Sequence, residues 1–142
     1  MKIMKKLAVL FLALLISCCA LFSGCGAKQL KAGDVYTLQY ITYTQNGTDY
    51  KINLGDMHNS KILQEDTYVL IVGEDNQVFF REKAPYNNIY ISQYTWIHGY
   101  EKDEIYLFSS RGSAVVFIVR FDNNRLYMLD ITANYVYVMK KA

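Results

Sequence analysis

The chain predicts an all-β domain, a single antiparallel meander of eight or nine strands, and three observations carry that prediction. All thirteen tyrosines, the one tryptophan and five of the seven phenylalanines lie after residue 25, and aromatic residues fit a pleated, half-buried surface. No apolar pattern of helical period runs to helical length in the same stretch. Turn residues recur between short apolar runs, which only one proline, Pro85, interrupts.

Each element follows from its turn chemistry. Val35 to Gln45 runs extended into Asn46-Gly47, the strongest two-residue hairpin signal, and Thr48 to Leu54 pairs back on it. Gly55 to Asp66 is a longer polar connection with room for a single helical turn. Strands follow at Tyr68 to Val72, Val78 to Glu82, Ile89 to Ile97, Ile105 to Ser109, Ala114 to Phe121, Leu126 to Ile131 and Tyr135 to Lys140. The links between them carry Gly, Asn, Asp, Ser or Pro.

Register follows in the last four strands. A two-residue Asn123-Asn124 turn pairs Phe121 with Leu126, Val119 with Met128 and Phe117 with Asp130. A three-residue loop with Gly112 in the left-handed position pairs Leu107 with Val115 and Ile105 with Phe117. Both loops put Ile105, Leu107, Val115, Phe117, Val119, Phe121, Leu126 and Met128 on one face, the expected interior, with Val136 and Val138 joining it if Asn134 is left-handed too. The outer face carries Tyr106, Arg120 and Tyr127 but also Val116, Ile118 and Leu129, so it is less polar than a fully solvated sheet. A meander of this size buries one face by closing into a barrel or folding into a sandwich; closure removes the exposed edges and is the expected form.

The first 25 residues have a different character. Lys2, Lys5 and Lys6 precede a small and apolar run from Leu7 to Phe22, followed by Ser23-Gly24-Cys25. This is the pattern of an export signal, too short for a comfortable membrane span. Residues 1–24 read as a signal peptide, 25–33 as a tether and 34–142 as the β domain. Small residues directly before Cys25 resemble the lipobox of bacterial lipoproteins, which implies a diacylglycerol-modified cysteine and a lipid-anchored protein on the extracytoplasmic face of the cell membrane. Leu15-Ile16-Ser17-Cys18 fits a looser form of the motif, Cys19 can be argued similarly, and an ordinary secretory signal cut near Gly24 is the alternative without a lipid. Cutting at Cys18 leaves Ala20, Leu21 and Phe22 on the mature protein, which favours Cys25.

Removal of the leader changes the sign of the charge. Three of the fifteen basic residues go with it, so twelve stand against thirteen acidic ones, a formal −1. That balance offers no basic excess for nucleic acid. No cysteine follows Cys25, which excludes disulfides, thiolate metal sites and cysteine nucleophiles from the domain.

The strand signatures Gly33-Asp34-Val35-Tyr36-Thr37-Leu38, Thr67-Tyr68-Val69-Leu70, Asp103-Glu104-Ile105-Tyr106-Leu107 and Phe121-Asp122-Asn123-Asn124-Arg125-Leu126 resemble those of the small lipocalin-like barrels of bacterial lipoproteins. The resemblance spans about Gly33 to Lys141. It implies a non-catalytic barrel that holds a small apolar or amphipathic ligand.

Candidate chemistry is sparse. His58 and His98 are the only histidines and both fall in or beside polar loops; they read as exposed, and as metal ligands they would have to converge with carboxylates such as Asp56 or Glu101. No serine stands in Gly-x-Ser-x-Gly. Asp130, opposite Phe117, is an inward carboxylate or a solvated rim residue one position before a strand end. Tyr90, Ser92, Tyr94 and Trp96 share one strand face, either a ligand platform or core. Tyr94, Trp96 and Asp130 are thus the candidate ligand contacts, with Cys25 the lipidation site and with no catalytic residue, metal or cofactor expected. Three classes remain: a ligand carrier, which needs a cavity; a protein-interaction or inhibitory module, which needs only an exposed surface and is favoured by a filled interior; and an enzyme, which needs a cluster of titratable groups in a cleft and for which the sequence offers no motif.

Overall fold

The computed structural model describes residues 29–101 and 103–142; the leader and Cys25 lie outside the described residues. Strand β1 (Val35–Gln45) turns at Asn46-Gly47 into β2 (Thr48–Asn53). Both turn residues have positive φ, 51° and 74°, the geometry that suits the twist of a hairpin. A short ladder, β3 (Met57–His58) and β4 (Lys61–Ile62), follows. Then come β5 (Tyr68–Val72), β6 (Gln77–Lys83), β7 (Ile89–His98) and β8 (Glu104–Ser109). The chain ends with β9 (Val115–Asp122), β10 (Arg125–Asp130) and β11 (Tyr135–Lys141). Among the described residues there is no α-helix, only a 3-10 turn at Pro85–Asn87.

The sheet runs β11-β10-β9-β8-β7-β6-β5-β1-β2, and β11 also pairs with β1. Eight strands therefore close an antiparallel barrel, with β2 as an extra strand outside the ring. Closure depends on β1. One edge of it carries β11 from Tyr36 to Tyr43, and the other is shared between β5, on Val35 to Thr37, and β2, on Tyr40 to Gln45. A bulge at Gln39 bends the strand between those two halves. We call the end where β1, β6, β8 and β10 finish the upper end.

The interior is packed with side chains. Leu38, Leu70, Val78, Ile105, Leu107, Val119, Leu126, Met128 and Met139 fill it, and Tyr68, Phe80, Phe117 and Tyr137 form an aromatic layer above them. Phe80 stacks on Tyr68 at 5.7 Å and meets Phe117 and Tyr137 at 5.6 and 5.5 Å. Leu30, which the sequence reads as tether, is buried in the same core. Gly33 N–H donates to Val72 C=O, so the chain is fixed to the lower end of the barrel before β1 begins.

The Asn123-Asn124 turn gives the expected register, Phe121 with Leu126, Val119 with Met128 and Phe117 with Asp130. Elsewhere the structure corrects the sequence. Gly112 does not have positive φ, and a bulge at Val116 moves the β8–β9 register, pairing Leu107 with Phe117, Ile105 with Val119 and Phe108 with Val115. The two-residue shift leaves Phe117 and Val119 inside, as an even shift must, while the bulge turns Val115 outward. Asn134 is left-handed, yet Val136 and Val138 lie on the outer face, where Val138 is nonetheless buried, and Tyr137 and Met139 take the interior, because Leu126 pairs with Met139 and Met128 with Tyr137. The cause is Asp130. Its carboxylate accepts from Thr132 and Ala133 N–H, each at 3.0 Å, and Asn134 N–H donates to its C=O. The turn therefore starts one residue early, and a one-residue slip reverses the face. Finally, residues 57–62 form the β3–β4 hairpin rather than a helical turn, with Asn59 and Ser60 both left-handed at its tip.

Candidate functional site

The upper mouth is closed by the β3–β4 hairpin. His58 packs edge-on against Tyr135 at 5.1 Å, and Lys61 reaches across to Glu82 on β6 while its ammonium lies 4.6 Å from the centre of the Tyr68 ring. Only 8% of the Lys61 side chain is exposed, so its charge depends on Glu82 and on the ring face for compensation. Burial raises the Tyr68 and Tyr137 phenols, and burial followed by the charge on Lys61 lowers the His58 imidazole. His58, expected to be exposed, is thus a buried plug residue. His98 is exposed at the lower end beside Trp96. The two histidines do not meet, and among the described residues no three His, Cys, Asp or Glu side chains converge in metal-binding geometry.

The three predicted ligand contacts separate in depth. Tyr94 is half-buried at the mouth, edge-on to Phe117 at 5.2 Å, and Asp130 stands opposite that same phenylalanine. Burial raises the Tyr94 phenol, and Asp130 adds to the effect. These two residues come together at the rim. Trp96 lies deeper, 8% exposed within the core. Cys25 lies outside the described residues.

Above Tyr94 the structure has a feature that residue-by-residue reading missed. Strand β8 pairs with β7 from His98 up to Tyr94, where Ser109 is the last partner. Strand β7 continues upward through Gln93, Ser92, Ile91, Tyr90 and Ile89, paired only with β6. Ile89, Tyr90 and Ile91 are 58%, 60% and 63% exposed. At the tip of this hairpin Tyr86 is 96% exposed with φ 63° and ψ 27°, a left-handed conformation that is an outlier for a bulky residue. The available signal was a mismatch of length, since β7 reads as a long strand followed by a short one.

The outer wall carries a second apolar feature. Register aligns Ile97, Tyr106, Ile118, Leu129 and Val136 in one row across five strands. Grooves of about 410 Å³ beside Ile118, Leu129 and Val136 and about 510 Å³ beside Ile97, Tyr106 and Phe108 follow that row. A groove of about 710 Å³ at the lower rim is lined by Lys31, Tyr36, Phe121, Lys140 and Lys141. The first two lie along the outer row, whereas the third reaches the core residue Tyr36 from the lower rim. Comparison with protein-family models, with curated proteins and with solved structures returns no match to this chain.

Proposed function

We propose that this protein is a non-catalytic interaction module, held on the extracytoplasmic face of the cell membrane by a lipid on Cys25, that binds a protein partner through its rim and outer surface. The observation that carries the reading is the packed interior. A carrier of the lipocalin-like kind encloses its ligand, whereas here Met128, Leu126, Leu107 and Val119 occupy the space a ligand would need. Large apolar residues stand outside instead, on the β6–β7 hairpin and along the outer wall. The anchor supports the same reading. Leu30 is already in the core, so only about four residues link Cys25 to the barrel, a reach of at most roughly 18 Å. The lower end then sits against the membrane and the upper rim points away from it.

Tyr94 and Asp130 at the mouth support a second reading, in which a small amphipathic ligand rests on the rim without entering the barrel. Native mass spectrometry of protein extracted from its own membrane separates the two. The interaction reading expects the chain and its lipid with no further small molecule, and unchanged Trp96 fluorescence on titration with lipids or glycans. A stoichiometric co-purifying small molecule would replace it with the carrier reading. Turnover of a substrate that fails when an acidic residue is neutralised would overturn both.

A further inference from the structure

The geometry points to the upper half of β7, Ile89 to Gln93, as a strand-addition site that takes an extended segment of a partner protein in which apolar residues alternate with acidic ones. This rests on the interaction reading and specifies where and by what chemistry the partner is held.

The backbone supplies the first argument. Trp96 N–H donates to Asn76 C=O on the β6 side at 2.9 Å, and Gly99 N–H donates to Glu104 C=O on the β8 side at 2.7 Å. Alternation along an antiparallel strand therefore turns even-numbered residues of β7 toward β6 and odd-numbered ones toward β8. Above Tyr94 no residue of the described chain takes the β8 position. Ile89, Ile91 and Gln93 accordingly present N–H and C=O groups along an open edge.

The side chains supply the second. Proteins protect open edges with charge, proline, bulges or brevity. The other free edge of this sheet, β2, carries Asp49 and Lys51. The β7 edge reads Ile-Tyr-Ile-Ser-Gln, with no charge, no proline and no bulge. Such an edge is the template used in β-augmentation, where main-chain bonds give affinity and alternate side chains give specificity. Tyr86 at the hairpin tip, held left-handed and almost wholly exposed, adds an aromatic anchor beside it.

Charge selects the occupant. On the outer face Arg81 lies opposite Ile91 and Lys83 opposite Ile89, and Arg111 is exposed in the loop that follows β8. Lys83 pairs with Asp66 at 3.4 Å, but Arg81 and Arg111 make no ion pair among the described residues. An added strand with carboxylates on its outward positions meets these two guanidinium groups; a basic strand is repelled.

The test uses protein purified from its own membrane in detergent and two blocked peptides, one alternating valine with glutamate and the other valine with lysine. Amide hydrogen exchange is followed residue by residue. The glutamate peptide should slow exchange at Ile89, Ile91 and Gln93 and leave Tyr90 and Ser92, already bonded to β6, unchanged. Arg81→Gln with Arg111→Gln should weaken that peptide by about tenfold, and Ile91→Glu should abolish its effect. Both variants change exposed or half-exposed residues, and a wild-type exchange pattern at Leu107 and Val119 would show that they fold. The proposal is overturned if alternate protection is absent, or if the lysine peptide binds equally well. Protection that appears without peptide and grows with protein concentration would assign the edge to a second copy instead. A co-purifying small molecule in the same preparation would show that the interaction reading itself had failed, independently of the edge.

Discussion

Tyr94 and Ser109 form the last pair between β7 and β8, and above them β7 runs on for five residues with only β6 beside it. That single pair divides the strand into a lower half that belongs to the barrel wall and an upper half that stands clear of it. Tyr94 marks the boundary in burial too, since it is half-buried while Gln93 and Ser92 are exposed.

The aromatic layer under the mouth should carry much of the stability. Phe117 is buried against Phe80 and Tyr94, so Phe117→Ala should cost on the order of 3–5 kcal/mol in urea unfolding. Phe121, half-buried at the lower rim beside Tyr36, should cost less. Equal costs at the two positions would mean that the packing is not graded from centre to rim.

The Lys61–Glu82 pair is unequally buried, 8% and 39% exposed. Glu82→Gln leaves the buried ammonium without its counter-charge and should destabilise by about 2 kcal/mol, discounted for the exposure of Glu82. Adding Lys61→Met, which keeps the stem over Tyr68, should recover at least half of that loss. Strictly additive effects in the double-mutant cycle would show that the two side chains do not depend on each other.

His58 gives a pH dependence with a definite sign. Its imidazole is held below the ordinary value by burial and then by Lys61, so the unfolded chain takes up a proton at a pH where the folded one does not. Its contribution to stability is fully present above about pH 6.5 and is lost as pH falls through that value toward the lower folded one. His58→Gln should flatten the fall in stability between about pH 7 and pH 5. Identical slopes for the variant and the natural protein would remove His58 as the source.

Tyr86 should be a site where stability and binding part company. A left-handed L-residue costs about 1–2 kcal/mol, and this one is 96% exposed, so it has little packing to lose. Tyr86→Gly should raise the unfolding free energy by about 0.5–1 kcal/mol, less than the full relief because glycine loosens the unfolded chain. A net loss of stability would show that the ring packs against the domain.

Much of the fold was legible because local signals agreed with each other. Asn46-Gly47 and Asn123-Asn124 each fixed a hairpin and its register, and the aromatic alternation from Phe117 to Phe121 identified the inner face. Reading failed where a turn was set by a side chain rather than by loop length. Asp130 captures two backbone N–H groups and reverses β11, and the bulge at Val116 has no signature in a run of apolar residues. His58 was misread because loop polarity says nothing about which loop folds back over a barrel mouth. At the candidate site, the grouping of Tyr94 with Asp130 could be approached from register, whereas the depth of Trp96 and the open edge above Tyr94 emerge only once neighbouring strands of unequal length are laid side by side.

Site-specific photo-crosslinking in intact cells tests the central account most directly, with the reactive group placed at Ile91 on the open edge and, as a control, at Asp49 on the charged edge of β2. The account predicts a discrete protein adduct from position 91, diminished by Arg81→Gln with Arg111→Gln, and none from position 49. Adducts at position 91 with lipid or small molecules alone, or protein adducts of equal yield from both positions, would contradict it.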